Sequence, residues 1–84
     1  MADPASVDRE PLRAHFTAAI GGDRSLLPAD GESLVSEGIL DSFGLAELVS
    51  VIEESYGLKI PDEDISLANF ESIDKIAAYV AGRR

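Results

Sequence analysis

The chain has 84 residues, enough for one domain with a modest core, and its 45% hydrophobic fraction excludes disorder throughout. It has no cysteine, which excludes disulfides, thiolate metal sites and a thiol nucleophile of its own; no apolar run is long enough to cross a membrane. A net charge of −9, from 16 acids against 7 Lys and Arg, disfavours nucleic acid and anionic lipid and favours basic protein patches, although acidity also serves solubility.

Met1 to Ser6 contains Pro4 and small residues and is expected to be a loose tail, residues 1–6, ahead of a domain spanning 7–84. No charged-then-apolar segment suggests export, so the expected location is cytoplasmic; the initial Met1 favours a whole gene product over an excised domain. Asp8 is placed to cap a first helix from about Arg9 to Ile20. Pro11 falls in its first turn, where a missing N–H does no harm. Leu12, Phe16, Ala19 and Ile20 share a face, and Gly21-Gly22 ends the helix. His15, the sole histidine, lies off that stripe. With no second histidine and no cysteine to complete a ligand set, a structural role fits it better than metal binding.

Asp23 to Asp41 is a long connector, and such loops are usually functional or packed by their own side chains. Leu26, Leu27, Leu34, Val35, Ile39 and Leu40 would anchor it over the helices, and Gly38 would let the backbone turn before the next one. From Ser42 to Tyr56 the pattern is one amphipathic helix. At about 100° per residue, Leu45, Leu48, Val49, Ile52 and Tyr56 form a stripe roughly 100° wide. Phe43, Glu47, Ser50 and Glu54 lie on the far side, and Gly57 is the stop. Pro61-Asp62-Glu63-Asp64 suits a short helix or single turn. Asp62-x-Asp64-x-Ser66 hints at a calcium loop but fails, because Leu67 stands where glycine is required and Ile73 where the bidentate glutamate belongs. Ser72 is placed to cap a last helix with Ile73, Ile76, Ala77 and Val80 inward. Gly82 would end it, with Arg83 and Arg84 complementing the C-terminal dipole. No strand pattern competes. The expected fold is all-α: a small four-helix bundle, three longer helices plus one short helix, with a long loop after the first.

Asp41 and Ser42 sit where free backbone N–H groups and the positive end of the helix dipole concentrate. Capping alone justifies a serine there, and an anion joined to it would also be favoured. The string Glu37-Gly38-Ile39-Leu40-Asp41-Ser42-Phe43, followed by Leu45, Glu47, Leu48 and Val49, resembles the attachment motif of acyl and peptidyl carrier proteins. The resemblance runs from about Leu34 to Val80 and takes in Tyr56-Gly57-Leu58-Lys59-Ile60-Pro61 and the Phe70, Ile73, Ile76-Ala77, Val80 spacing.

That resemblance implies a carrier, not an enzyme. Ser42, with Asp41 before it, would accept 4'-phosphopantetheine from coenzyme A through a magnesium-dependent phosphopantetheinyl transferase. An acyl- or aminoacyl-loading ligase or transferase would charge the arm's thiol as a thioester for downstream biosynthetic enzymes. Phe43, Ala46, Glu47, Ser50, Glu53 and Glu54 match positions that partner enzymes contact in the family, with Phe43 as apolar anchor and the acids steering toward basic partners. A monomer is expected. Fatty-acid-synthesis members usually carry an acid and a larger apolar residue where this chain has Gly44 and Ser50, so a specialised pathway fits at least as well. Two other readings stand beside this one. The first is an acidic helical interaction module in which Ser42 is only a helix N-cap. The second is a small hydrolase with Ser42 as nucleophile and His15 as base.

Overall fold

The computed structural model describes residues 3–83, so Met1 and Ala2 of the tail expected at 1–6, and the dipole role of Arg84, lie outside the described residues. Those residues hold three α-helices and no strand: α1 (Glu10–Ala19), α2 (Ser42–Tyr56) and α3 (Ile73–Arg83). Three 3₁₀ turns punctuate the rest, at Pro4–Ser6, Arg24–Leu26 and Asp62–Asp64. Where a short fourth helix is expected after Pro61, the chain makes the single turn Asp62–Asp64.

Each helix turns inward the stripe that its periodicity marks, α1 only in part. Leu12 and Phe16 of α1 meet Leu48, Val49, Ile52 and Tyr56 of α2 and Ile73, Ile76, Ala77 and Val80 of α3 in one core, with Leu34, Leu40, Ile60 and Phe70 from the connections. Phe70 lies edge-on to Tyr79, ring centroids 5.2 Å apart, an arrangement that aromatic quadrupoles favour. Ala19, expected on the inner face of α1, is exposed, because the helix is already leaving the core in its last turn.

The ends of the elements depend on side chains and glycines. Asp8 accepts a hydrogen bond from the Glu10 N–H at 3.0 Å, and the Tyr56 hydroxyl donates to the Asp8 carbonyl, joining the start of α1 to the end of α2. Gly57 closes α2 at φ +65°, a conformation that side chains resist. Ser72 accepts from the Lys75 N–H at 3.1 Å and so caps α3. Gly82 does not end α3, which runs on through Arg83; a single glycine costs a helix only about 1 kcal/mol against alanine, too little to force a stop. Pro4–Ser6 also packs against α3.

The connector between α1 and α2 is pinned at both faces. Leu34 is buried, and its N–H donates to the Glu71 carbonyl at 2.7 Å. Asp30 accepts from Arg13 at 2.6 Å and from Arg9 at 3.0 Å, and its carbonyl accepts from the Asp74 N–H at 2.9 Å. Arg9 also reaches the Asp74 carboxylate. One ionic cluster therefore ties α1, the connector and the first turn of α3. Leu26, expected among the anchors, is 67% exposed, because Asp23 caps the tight Arg24–Leu26 turn and Leu27 rather than Leu26 packs against the core.

Candidate functional site

The connector delivers the chain to α2 in a fixed pose. The Leu34 carbonyl accepts from both Ile39 N–H at 2.9 Å and Leu40 N–H at 3.1 Å, a tight reversal made possible by Gly38 at φ +73°. Leu40 is driven into the core at 2% exposure, and the next three residues, Asp41, Ser42 and Phe43, are exposed. A buried leucine directly before a helix start thus leaves the first turn standing out from the body.

Asp41, not Ser42, is the N-cap. Its backbone is extended, and one carboxylate oxygen accepts from Phe43 N–H at 3.0 Å and Gly44 N–H at 2.9 Å. Ser42 is the first residue inside the helix. Because Asp41 satisfies the first-turn donors, the Ser42 hydroxyl has no capping duty, and among the described residues it makes no hydrogen bond. The cap also changes the electrostatics. The positive end of α2 already holds a carboxylate, so an anion on Ser42 would share that end with Asp41.

The residues expected on the outward face separate into two sets. Phe43 is 92% exposed, and Ala46, Glu47, Ser50 and Glu54 are exposed with it. Glu53 is half buried, and its carboxylate accepts from the Ile60 N–H at 2.9 Å, holding the loop that follows α2. The helical wheel carries that distinction: Glu53 lies about 80° from the centre of the apolar stripe, against about 160–180° for Glu47 and Glu54. α2 contains three glutamates and no Lys or Arg, so every charge it carries is negative.

His15 is half buried and packs edge-on against Phe16, ring centroids 5.1 Å apart. No hydrogen bond joins it to Ser42 among the described residues, so no serine–histidine pair forms. It lines instead a cleft of about 230 Å³ with Phe16, Ile39, Leu40, Gly44 and Glu47, immediately beside the start of α2. Periodicity could not reveal this cleft, because three separate segments build it.

A family model described as "Phosphopantetheine attachment site" matches residues 10–80. The lincomycin biosynthesis protein LmbN of Streptomyces lincolnensis is 45% identical over 72 residues, 86% of this chain and 26% of that protein. An acyl carrier protein of Rhodococcus erythropolis is 37% identical over 49 residues, 58% of this chain and 52% of that protein. A meromycolate extension acyl carrier protein of Mycolicibacterium smegmatis is also 37% identical over 49 residues, 58% of this chain and 48% of its own length. The chain thus spans from about a quarter to about half of these curated relatives. No solved structure matches it. The matched stretch takes in α1, α2 and most of α3, and the chain belongs to the phosphopantetheine-attachment family: it is a non-catalytic carrier whose prosthetic group is covalent 4'-phosphopantetheine.

Proposed function

We propose that Ser42 is the attachment residue and that Asp41 positions it. The observation that carries this is the division of labour at the start of α2, where Asp41 does the capping and leaves an exposed, unengaged hydroxyl one residue on. The residues fit the group. An exposed first-turn oxygen admits a phosphodiester: the Phe43 side chain beside it stands out in solvent, and the Asp41 carboxylate is turned onto the Phe43 and Gly44 N–H groups. When bound, the arm supplies the thiol that this cysteine-free chain lacks. Ser42 holds it at the tip of a rigid helix, and the tether raises the local concentration of the cargo at each partner.

The docking face is the exposed set Phe43, Ala46, Glu47, Ser50 and Glu54, with Glu53 supporting it from the flank. Phe43 is the apolar anchor, and the glutamates steer the carrier onto Lys- and Arg-rich patches without demanding tight binding. The partners are a phosphopantetheinyl transferase, a loading ligase or acyltransferase and downstream biosynthetic enzymes, met by a monomeric carrier domain of residues 7–84 in the cytoplasm. The Asp62–Asp64 turn and the segment that follows it take the place of the short helix of a four-helix carrier bundle. Likeness to a relative named for lincomycin biosynthesis over 86% of the chain supports a specialised pathway over housekeeping lipid synthesis, as do Gly44 and Ser50.

Incubation with a broad-specificity transferase, magnesium and coenzyme A tests the assignment. Intact mass should rise by one phosphopantetheinyl group, and Ser42→Ala should show no rise. A mass gain that survives Ser42→Ala would move the attachment elsewhere.

A further inference from the structure

The cleft beside the start of α2 has a definite chemistry. Its accessible apolar surface comes from Ala18, Ala19 and half-buried Ile39, laid over buried Phe16 and Leu40, and its rim carries two polar side chains, Glu47 and His15. The Glu47 carboxylate is exposed and has no ion-pair or hydrogen-bond partner among the described residues. Gly44 leaves the cleft open on the α2 side. A Cβ there would lie 3.7 Å from the Leu40 Cδ1 and the Asp41 Oδ1, ordinary contact, so the space is real and could be filled without a clash. At about 230 Å³ it is smaller than a drug-sized pocket and suits a short group rather than a long chain.

We infer that this cleft binds the tethered cargo, and that the cargo it suits is a short acyl group bearing a protonated primary amine, that is, an aminoacyl group. The inference rests on Ser42 as the attachment point. Charge complementarity selects the amine: within this face of a chain of net charge −9, Glu47 is an unpaired carboxylate at the mouth of an apolar recess. The ammonium would meet Glu47 while a short apolar side chain lies against Ala18, Ala19 and Ile39. The His15 ring lies at the same rim. Reach is not an obstacle. Glu47 lies five residues beyond Ser42, about 7.5 Å along the helix axis, so an arm on Ser42 would have to lie back along α2 to bring its end there.

The test uses the whole ¹⁵N-labelled chain, charged to completion by transferase with two coenzyme A analogues that carry stable amide-linked cargo, leucyl and 4-methylpentanoyl, which differ only in the amine. Intact mass establishes that each loading is complete. Near pH 7, the leucyl form should perturb the backbone amides of residues 15–19, 39–40, 44 and 47, with about two- to fivefold higher cleft occupancy than the desamino form, as suits one exposed ion pair. Glu47→Gln should reduce the leucyl pattern to the desamino level, and Gly44→Ala should diminish both by filling the recess. Equal perturbation by the two cargoes, or none there despite full loading, overturns the inference. No mass gain at all would instead strike the Ser42 assignment.

Discussion

The starts of α2 and α3 use the same device and leave their serines in opposite states. Each helix is opened by an oxygen-bearing side chain that accepts first-turn N–H groups. At α3 the serine itself does this. Ser72 is 6% exposed, and its hydroxyl receives the Lys75 N–H. At α2 the aspartate does it, and Ser42, one position further in, is exposed and unengaged. A shift of one residue relative to the cap decides whether a hydroxyl is structural or available. The surroundings follow suit. The first turn of α3 is lashed to α1 and the connector through Asp74, Arg9 and Asp30, whereas the first turn of α2 stands clear beyond buried Leu40. One end is built to stay put and the other to be reached.

The largest effect should come from exchanging the roles of the two serines. Ser42→Ala should eliminate phosphopantetheinylation, measured by intact mass, while its unfolding free energy changes by no more than about 0.5 kcal/mol, as for an exposed residue without partners. Ser72→Ala should do the reverse, keeping full modification and losing about 1 kcal/mol of stability in urea unfolding. If Ser42→Ala unfolded the chain as readily as Ser72→Ala, the contrast would vanish.

The ionic cluster at the α3 end comes next. The guanidinium of Arg13, hydrogen-bonded to it, holds the Asp30 carboxyl below the usual carboxylate range against the opposing effect of burial, and Arg9 adds to the lowering. A depressed folded-state value means that the cluster stabilises the fold fully above about pH 4, the unfolded value, and that the contribution disappears as pH falls through the folded one. Asp30→Asn should cost about 1–3 kcal/mol at neutral pH and flatten the acid limb of the stability profile. It should leave Ser42 modification intact, because the α2 start takes no part in the cluster. A mutant as acid-sensitive as the parent would show that the cluster contributes little.

Much of this contrast is legible in the linear chain, and the remainder has identifiable causes. The extent of α2, its inner face, the Gly57 stop and the Ser72 cap are local matters of period and terminal chemistry, and the structure has each of them. The choice between Asp41 and Ser42 as cap was open, because both residue types suit the position and only backbone geometry separates them. The sequence does not separate Glu53 from the docking acids, because its partner, the Ile60 N–H, is brought to it only when the loop folds back past Gly57. The Arg9–Asp30–Arg13–Asp74 cluster and the cleft at His15 join segments far apart in the chain, and no local pattern announces such meetings. Gly82 misled because a glycine is a frequent stop but not an obligatory one.

Removing the cap at α2 should matter less than disrupting the cluster. Asp41→Ala releases two N–H groups into solvent and should cost about 1 kcal/mol, with slower modification because the first turn frays. Asp41→Asn keeps an acceptor in place and should restore most of the stability. If it restored stability but not the modification rate, measured by timed intact-mass sampling, the Asp41 charge would be read directly by the transferase, in addition to its part in holding the turn.

The smallest effect, and the one that sharpens the comparison most, concerns the third residue of each helix. α3 has Lys75 there and α2 has Gly44. Glycine loses more backbone freedom on entering a helix than any other residue, so α2 opens less stably than its cap chemistry would allow. Nothing near Gly44 forbids a methyl group, since the closest atoms would be at 3.7 Å. Gly44→Ala should therefore raise stability, by about 0.5–1 kcal/mol at most and less if the first turn is already partly frayed. Two readouts then part company. A purely structural start of α2 would gain stability from alanine and lose nothing. A start that serves a tethered cargo would gain the same stability while its loaded form lost contact with the cleft that Gly44 keeps open.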